Sequence, residues 1–135
     1  MIWVAPYIGV PFEVANCWEL ARRVLRDQRG IELPDYAGLY DPARALEDLS
    51  AARVVEELIV QERATAAWKR VEVPEPFDVI LLRMLGHVSH CAVVVDRRTA
   101  LSSRPRVGGH LFSYGLGRYA HRIEGFYRYV GPSES

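Results

Sequence analysis

The chain reads as an α+β fold, with helices in its first half packed on an antiparallel sheet built from its second. Two patterns predict this. From Cys17 to about Ala66 apolar residues recur at helical spacing, and from Trp68 onward they fall in short runs broken by Gly, Pro and Asp. The length of 135 residues suits one ordinary domain with room for one core, so residues 1–135 are expected to form a single domain.

Residues 1–12 read as an extended or turning segment ending in Tyr7-Ile8-Gly9-Val10-Pro11-Phe12. Asn16 is a good N-cap, because its side-chain oxygen can accept an N–H of the first turn, and Glu19 stands three positions on, where a capping box places its acid. The first helix then runs from Cys17 to about Arg29. Trp18, Ala21, Val24 and Leu25 share one face, and Arg22, Arg23, Arg26 and Asp27 supply the polar side. Gly30 is a natural C-cap, and Pro34 prevents resumption. Residues 31–40 form a turn-rich loop. Asp41-Pro42 then pairs an N-cap with a proline at the first helical position. Helical spacing continues through Leu46, Leu49, Val54, Val55, Leu58 and Ile59, with Ser50 the place where the stretch can divide into two helices.

The second half is read as strands. Val71 to Val73 is short, and Pro74-Glu75-Pro76 turns the chain. Phe77 to Met84 is apolar on both faces and therefore central. Gly86 to Ser89 is a loop, and His90 to Asp96 is a second buried strand. Arg97-Arg98-Thr99 turns into Ala100-Leu101-Ser102. Residues 103–109 form another loop. Short strands follow near His110 to Tyr114, Tyr119 to Ile123 and Phe126 to Val130, and Pro132 to Ser135 is a frayed tail.

Composition excludes several classes of function. Lys+Arg and Asp+Glu are both 17, so the surplus of positive charge expected of a nucleic-acid-binding domain is missing. No apolar run approaches the length of a membrane span. The segment Met1 to Pro6 has neither a basic region nor a long apolar stretch, so no secretory signal is expected. Two cysteines make no disulfide framework, which suits synthesis in a reducing cytoplasm.

Cys17 and His90 are the residues best placed for chemistry. A cysteine in the first turn of a helix meets unpaired N–H groups and the positive end of the dipole, which favour the nucleophilic thiolate. His90 opens a buried strand, and a helix N-terminus packed on a sheet can bring the two together. Such a pair suffices for acyl transfer through a covalent intermediate. The alternative for Cys17 is a small buried packing residue.

Other residues have plainer readings. Cys91 follows His90 on a strand, so it points to the opposite face as a core thiol. His87 is a solvated loop residue, and His121 is an exposed strand residue. Cys17, His87, His90 and Cys91 lack the paired spacing of a zinc site, so neither metal nor cofactor is expected. Trp3, Trp18 and Trp68 belong to core and rim, with Trp18 able to wall a cleft beside Cys17. Arg97, Arg98, Arg104 and Arg106 form a basic loop cluster, either a solvated face or a docking surface for an acidic partner.

Gly9-Val10-Pro11-Phe12, then Asn16-Cys17-Trp18-Glu19-Leu20 opening a helix, then Gly30-Ile31-Glu32-Leu33-Pro34, resembles the start of the NlpC-type papain-like cysteine peptidases of bacterial and phage cell-wall lysis. Pro76-Phe77-Asp78-Val79-Ile80-Leu81 is similar to that family's next strand. Ser89-His90-Cys91-Ala92-Val93-Val94-Val95 is similar to its histidine strand, and the aromatic-rich Arg122 to Tyr129 resembles the end of the short phage-tail forms. The resemblance implies a papain-like domain with Cys17 as nucleophile and His90 as base. The family's third residue, usually histidine, falls on Ser102, with His110 the alternative if the long loop folds back. Asn16 replaces the usual Asp, Glu19 a common Gly, and Phe12 a tyrosine that helps to hold a free substrate amine.

The implied reaction is hydrolysis of an amide bond in peptidoglycan stem peptides. The implied setting is a phage tail tip, synthesised in the cytoplasm and acting in the host periplasm and cell wall beside tail-hub proteins. The alternatives are a structural tail-assembly component that keeps the fold without catalysis, and an effector that turns the same pair on another amide.

Overall fold

The computed structural model describes residues 2–36, 44 and 47–131. Asn16 starts α1 (Cys17–Arg29) as its sequence implies, its extended backbone letting the side-chain oxygen accept the N–H of Glu19 at 3.0 Å. The second half of the expected capping box is missing. Glu19 instead pairs with Arg22 and Arg23, one turn along the same helix face. Gly30 closes the helix in the left-handed region at φ 65°, with Gly30 N–H on the Arg26 carbonyl and Ile31 N–H on that of Leu25.

The second helix, α2 (Leu49–Arg63), is capped by Asp48, whose carboxylate accepts the N–H groups of Ser50 and Ala51 at 2.8 and 3.2 Å. The break expected at Ser50 therefore falls two residues earlier, because Asp48 satisfies two first-turn donors at once. The start expected at Asp41-Pro42, and Leu46, lie outside the described residues, as does the Pro132–Ser135 tail.

Six strands follow: β1 (Trp68–Val71), β2 (Val79–Met84), β3 (His87–Val94), β4 (Thr99–Arg104), β5 (Gly108–Ser113) and β6 (Ile123–Tyr129). They form one antiparallel sheet in the order β1-β6-β2-β3-β4-β5. The apolar runs of β2 and β3 lie at its centre and are covered on both faces. Val79, Leu81, Cys91 and Val93 meet α1, while Ile80, Leu82, Ala92 and Val94 pack with Ala100 and Tyr114 on the other face.

Several boundaries differ from the sequence reading, each for a local reason. The first strand is Trp68–Val71, because those residues pair with β6 and Val73 is exposed. Phe77 takes a φ of 73°, so β2 begins only at Val79. The expected loop at Gly86 to Ser89 contracts to a two-residue turn. Leu85 and Gly86 both have positive φ, 54° and 78°, which matches the twist of a tight hairpin and starts β3 at His87. The loop expected over residues 103–109 shrinks to three, since Arg104 pairs with Gly108. Where a strand was expected at Tyr119, a short helix, α3 (Gly117–Ala120), sets the Tyr119 ring 4.6 Å from Phe112.

Two contacts tie the ends of this sheet. Asp78 is 2% exposed, and its carboxylate takes both Nε and Nη2 of Arg128, at 2.9 and 2.8 Å, joining the entry to β2 with β6. The N-terminal segment, expected to be extended, forms a 3₁₀ helix (Ile2–Tyr7) that docks on β5. Gly9 N–H donates to Gly109 O at 2.8 Å, and Gly109 N–H to Val10 O at 2.9 Å.

That docking works because residue 109 has no side chain. A Cβ there would lie 1.9 Å from the Tyr7 carbonyl oxygen. Gly109→Ala should therefore cost about 1–3 kcal/mol, read as a lower denaturant midpoint. Gly115→Ala, whose Cβ would meet nothing within 4 Å, is the control. Equal midpoints for the two variants would show that the N-terminal segment does not depend on this contact.

Candidate functional site

The first turn of α1 carries Cys17 onto the sheet. Leu20, Ala21, Val24 and Leu25 are 2% exposed or less and press the helix against β3, so its N-terminal residue arrives beside His90 and Cys91. These three residues line one apolar cavity of about 60 Å³, walled by Trp18, Trp68 and Tyr127. Trp18 is held there by its indole N–H, which donates to Pro34 O at 2.8 Å.

The strand reading of Cys91 holds only in part. It is buried on the α1 face, in register with Leu81, but its thiol meets Cys17 rather than inert core. His90 stands opposite Leu82, next to a bulge at Ser89 where the β2–β3 register shifts. Bulges bend a strand and re-aim its side chains. No sequence pattern announced the bulge.

The Cys17 thiol is held well below its ordinary pKa. The largest cause is a hydrogen bond from Cys91, which outweighs burial; the charge of His90 adds to it. Cys91 is pushed up in return, by its hydrogen bond to Cys17, by burial and by the Cys17 charge. The helix N-terminus favours the same charge.

His90 is oriented by Ser102. The β3–β4 ladder covers only Val93 with Leu101 and Val94 with Ala100, and beyond it the Ser102 hydroxyl donates to Cys91 O at 2.6 Å. A carbonyl only accepts, so the single hydroxyl proton is committed there. Toward His90 Nε2, 3.1 Å away, Ser102 must accept, and Nε2 carries the N–H. In the neutral ring the lone pair is then on Nδ1, which is buried without a hydrogen-bond partner. The imidazole is thus near enough to act on the thiol but not aligned with it in a formed hydrogen bond. Such bonds commonly tighten only with substrate in place.

The structure therefore brings Cys17, His90 and Ser102 together. His110 sits across from Ser102 in the β4–β5 register, but its Nδ1–H donates to Gly108 O at 2.9 Å. His87 is not a solvated loop residue: it opens β3, with Nδ1 3.1 Å from Glu56 of α2, whose other oxygen accepts Val88 N–H. His121 caps α3 and is exposed. Glu62, which the sequence did not single out, lines the cavity and accepts from both Tyr36 OH and Trp68 Nε1. No group of three or more His, Cys, Asp or Glu able to hold a metal occurs among the described residues, and no helix there is long and apolar enough to cross a membrane.

No family model matches the chain, and no curated protein matches its sequence. Solved structures match its fold. An NLP/P60 family protein from Staphylococcus aureus, described as similar to lipoprotein, superposes with a TM-score of 0.60 at 16% identity, over 97% of this chain and 40% of that one. An NlpC/P60 family protein from Bacillus cereus gives 0.64 at 16%, over 95% and 38%. The NlpC/p60 domain of the peptidoglycan hydrolase SagA gives 0.58 at 14%, over 93% and 92%. The chain thus spans about two fifths of the length of the first two and nearly all of the third. Its fold is the papain-like NlpC type that the sequence resemblance implies.

A thiol held low is ionised, and so reactive, at lower pH than a free one. Iodoacetamide labelling of Cys17 should therefore rise through a midpoint well below the reference of about 8.5. His90→Ala and Cys91→Ala should each move that midpoint up, Cys91→Ala further. Mass mapping of the labelled site across pH reads the result. An ordinary midpoint in all three proteins would remove the electrostatic coupling.

Proposed function

We propose that the chain is a cysteine peptidase that hydrolyses an amide bond in peptidoglycan stem peptides. The observation that carries the chemistry is the His90 ring: Nε2 is committed to Ser102, Nδ1 is buried without a partner, and the ring shares a cavity with a thiol already held toward its ionised form. The substrate class is supported by the NlpC/P60 fold, one of whose solved examples is a domain of a peptidoglycan hydrolase.

In this reading Cys17 Sγ attacks the amide carbonyl while His90 Nδ1 holds the thiol proton. The oxygen that becomes an oxyanion faces the first turn of α1. Asn16 caps Glu19 N–H there, and Cys17 N–H has no acceptor among the described residues. His90 passes its proton to the leaving amine. It then takes one from water, which attacks the thioester and restores the thiol. Ser102 keeps the ring in the required tautomer throughout. As a neutral partner it orients the imidazolium without stabilising its charge as a carboxylate would.

The setting we propose is a phage tail tip, where the domain, carried with tail-hub proteins, opens the wall in the host periplasm. It is supported by the likeness of Arg122 to Tyr129, now mostly strand β6, to the short tail forms. A second reading is a structural tail component with the fold alone. It is favoured by the 9% exposure of Cys17 beneath an apolar cavity.

Purified peptidoglycan incubated with the protein should release new amino groups. Cys17→Ala should abolish the release, and His90→Ala should reduce it by about 100-fold to 10,000-fold, with a smaller loss in Ser102→Ala. Soluble fragments resolved by mass identify the bond. Folded wild type that releases nothing would give precedence to the structural reading.

A further inference from the structure

His90 stands between two cavities. One is the apolar cavity it shares with Cys17. The other, of about 360 Å³, is walled by His90 but not by Cys17, and it is basic. Besides Arg44, which pairs with Asp48, it is lined by Arg104, Arg106, Arg118 and Arg122. They come from three places, the end of β4 with its turn, α3 and the residue before β6, so the sheet has gathered charges that are separate in sequence.

None of these four arginines has a carboxylate within ion-pair distance among the described residues. Elsewhere Arg22 and Arg23 share Glu19, Arg63 and Arg70 share Glu124, and Arg128 takes Asp78. In a chain of zero net charge, this local excess comes from placement rather than composition. His110, half-buried in the same pocket, feels it: burial first, and then the charges of Arg104 and His90, lower its pKa. Phe112 and Tyr119, with rings 4.6 Å apart, add an apolar wall for the stem of a ligand. Glu47 is the single acid on the described lining.

The position of the pocket says which part of a substrate it would hold. In thiol acyl transfer the acyl group stays on sulfur, while the imidazole hands its proton to the departing amine. A pocket touching the imidazole and not the sulfur therefore lies on the amine side of the bond. We infer that this pocket binds the amine-side portion of the substrate, and that Arg104, Arg106, Arg118 and Arg122 select one bearing a carboxylate near the scissile nitrogen. The inference rests on the roles assigned to Cys17 and His90 above. Arginine suits the task, since its planar fork matches a carboxylate and it stays charged at every working pH.

Two measurements test it separately from the peptidase reading. The first is binding, on the full chain carrying Cys17→Ala so that turnover plays no part. An NMR titration compares the peptide Glu-Ala amide with Gln-Ala amide, which differ only in one carboxylate. Glu-Ala amide should bind at least about tenfold more tightly, and the Arg104→Gln/Arg118→Gln and Arg106→Gln/Arg122→Gln pairs should each erase that difference. The second is turnover by the wild type of reporter amides with Glu or Gln on the amine side. The kcat/KM ratio should favour Glu by a similar factor and fall toward one in the arginine variants.

Arginine-dependent binding of Glu-Ala amide without any turnover would keep the pocket and overturn the peptidase. Turnover with equal rates on both reporters would keep the peptidase and overturn the pocket. Equal binding of the two peptides, or a Glu preference untouched in both double variants, would also overturn it.

Discussion

The site depends on α1 lying flat against β3. Three large side chains, Leu20, Val24 and Leu25, are buried to 2% exposure or less at this contact. Each fully buried aliphatic side chain contributes about 1.5–3 kcal/mol. The contact also sets a position. With the helix seated by this stripe and stopped at Asn16 and Gly30, its first residue has one place to go, beside His90 and Cys91. A helix shifted by one residue would rotate Cys17 by about 100° and carry it off the strand.

What the contact delivers is a thiol among donors. Cys91 supplies the largest stabilisation of a negative sulfur, which is an unexpected use of a residue next in sequence to the candidate base. It is possible because successive strand residues face opposite ways. Cys91 looks at α1, and His90, beside the bulge, reaches the same cavity while keeping its Nε2 on Ser102. The short β3–β4 ladder contributes too. Where backbone pairing stops, the Ser102 hydroxyl bonds the Cys91 carbonyl, and that bond decides which way its proton points. A single serine thereby ties the backbone of one candidate residue to the tautomer of another.

The two cavities differ in kind because the sheet presents two surfaces at one imidazole. On the Cys17 side the lining comes from α1, α2 and the α1-facing strand residues, and it is apolar. On the other side it comes from hairpin turns and α3, where arginines collect. Turns tolerate charged residues that strand interiors do not, so the sheet's centre and its hairpin ends divide the chemistry between them.

Much was legible in order along the chain. The Asn16 cap, the apolar stripe of α1, Gly30 and the doubly apolar central strands each follow from local periodicity or backbone preference, and these signals are enough for an α+β class. Cys17 and His90 could be picked out individually, through a helix start and the opening of a buried strand, and Ser102 only through the position that the family resemblance implies. The failures were of another sort. The 3₁₀ segment at Ile2–Tyr7, the hairpins at Leu85-Gly86 and Arg104–Gly108, and the helix at Gly117–Ala120 are chosen by what they dock on, not by their own composition. The bulge at Ser89, the meeting of Cys17 with Cys91, the bond from Ser102 to Cys91 O and the gathering of four arginines beside His90 are contacts between residues distant in sequence or decided by strand register. Periodicity reports which face of an element is buried. It carries no information about which residue of another element waits there, and that choice is made only when the faces pack.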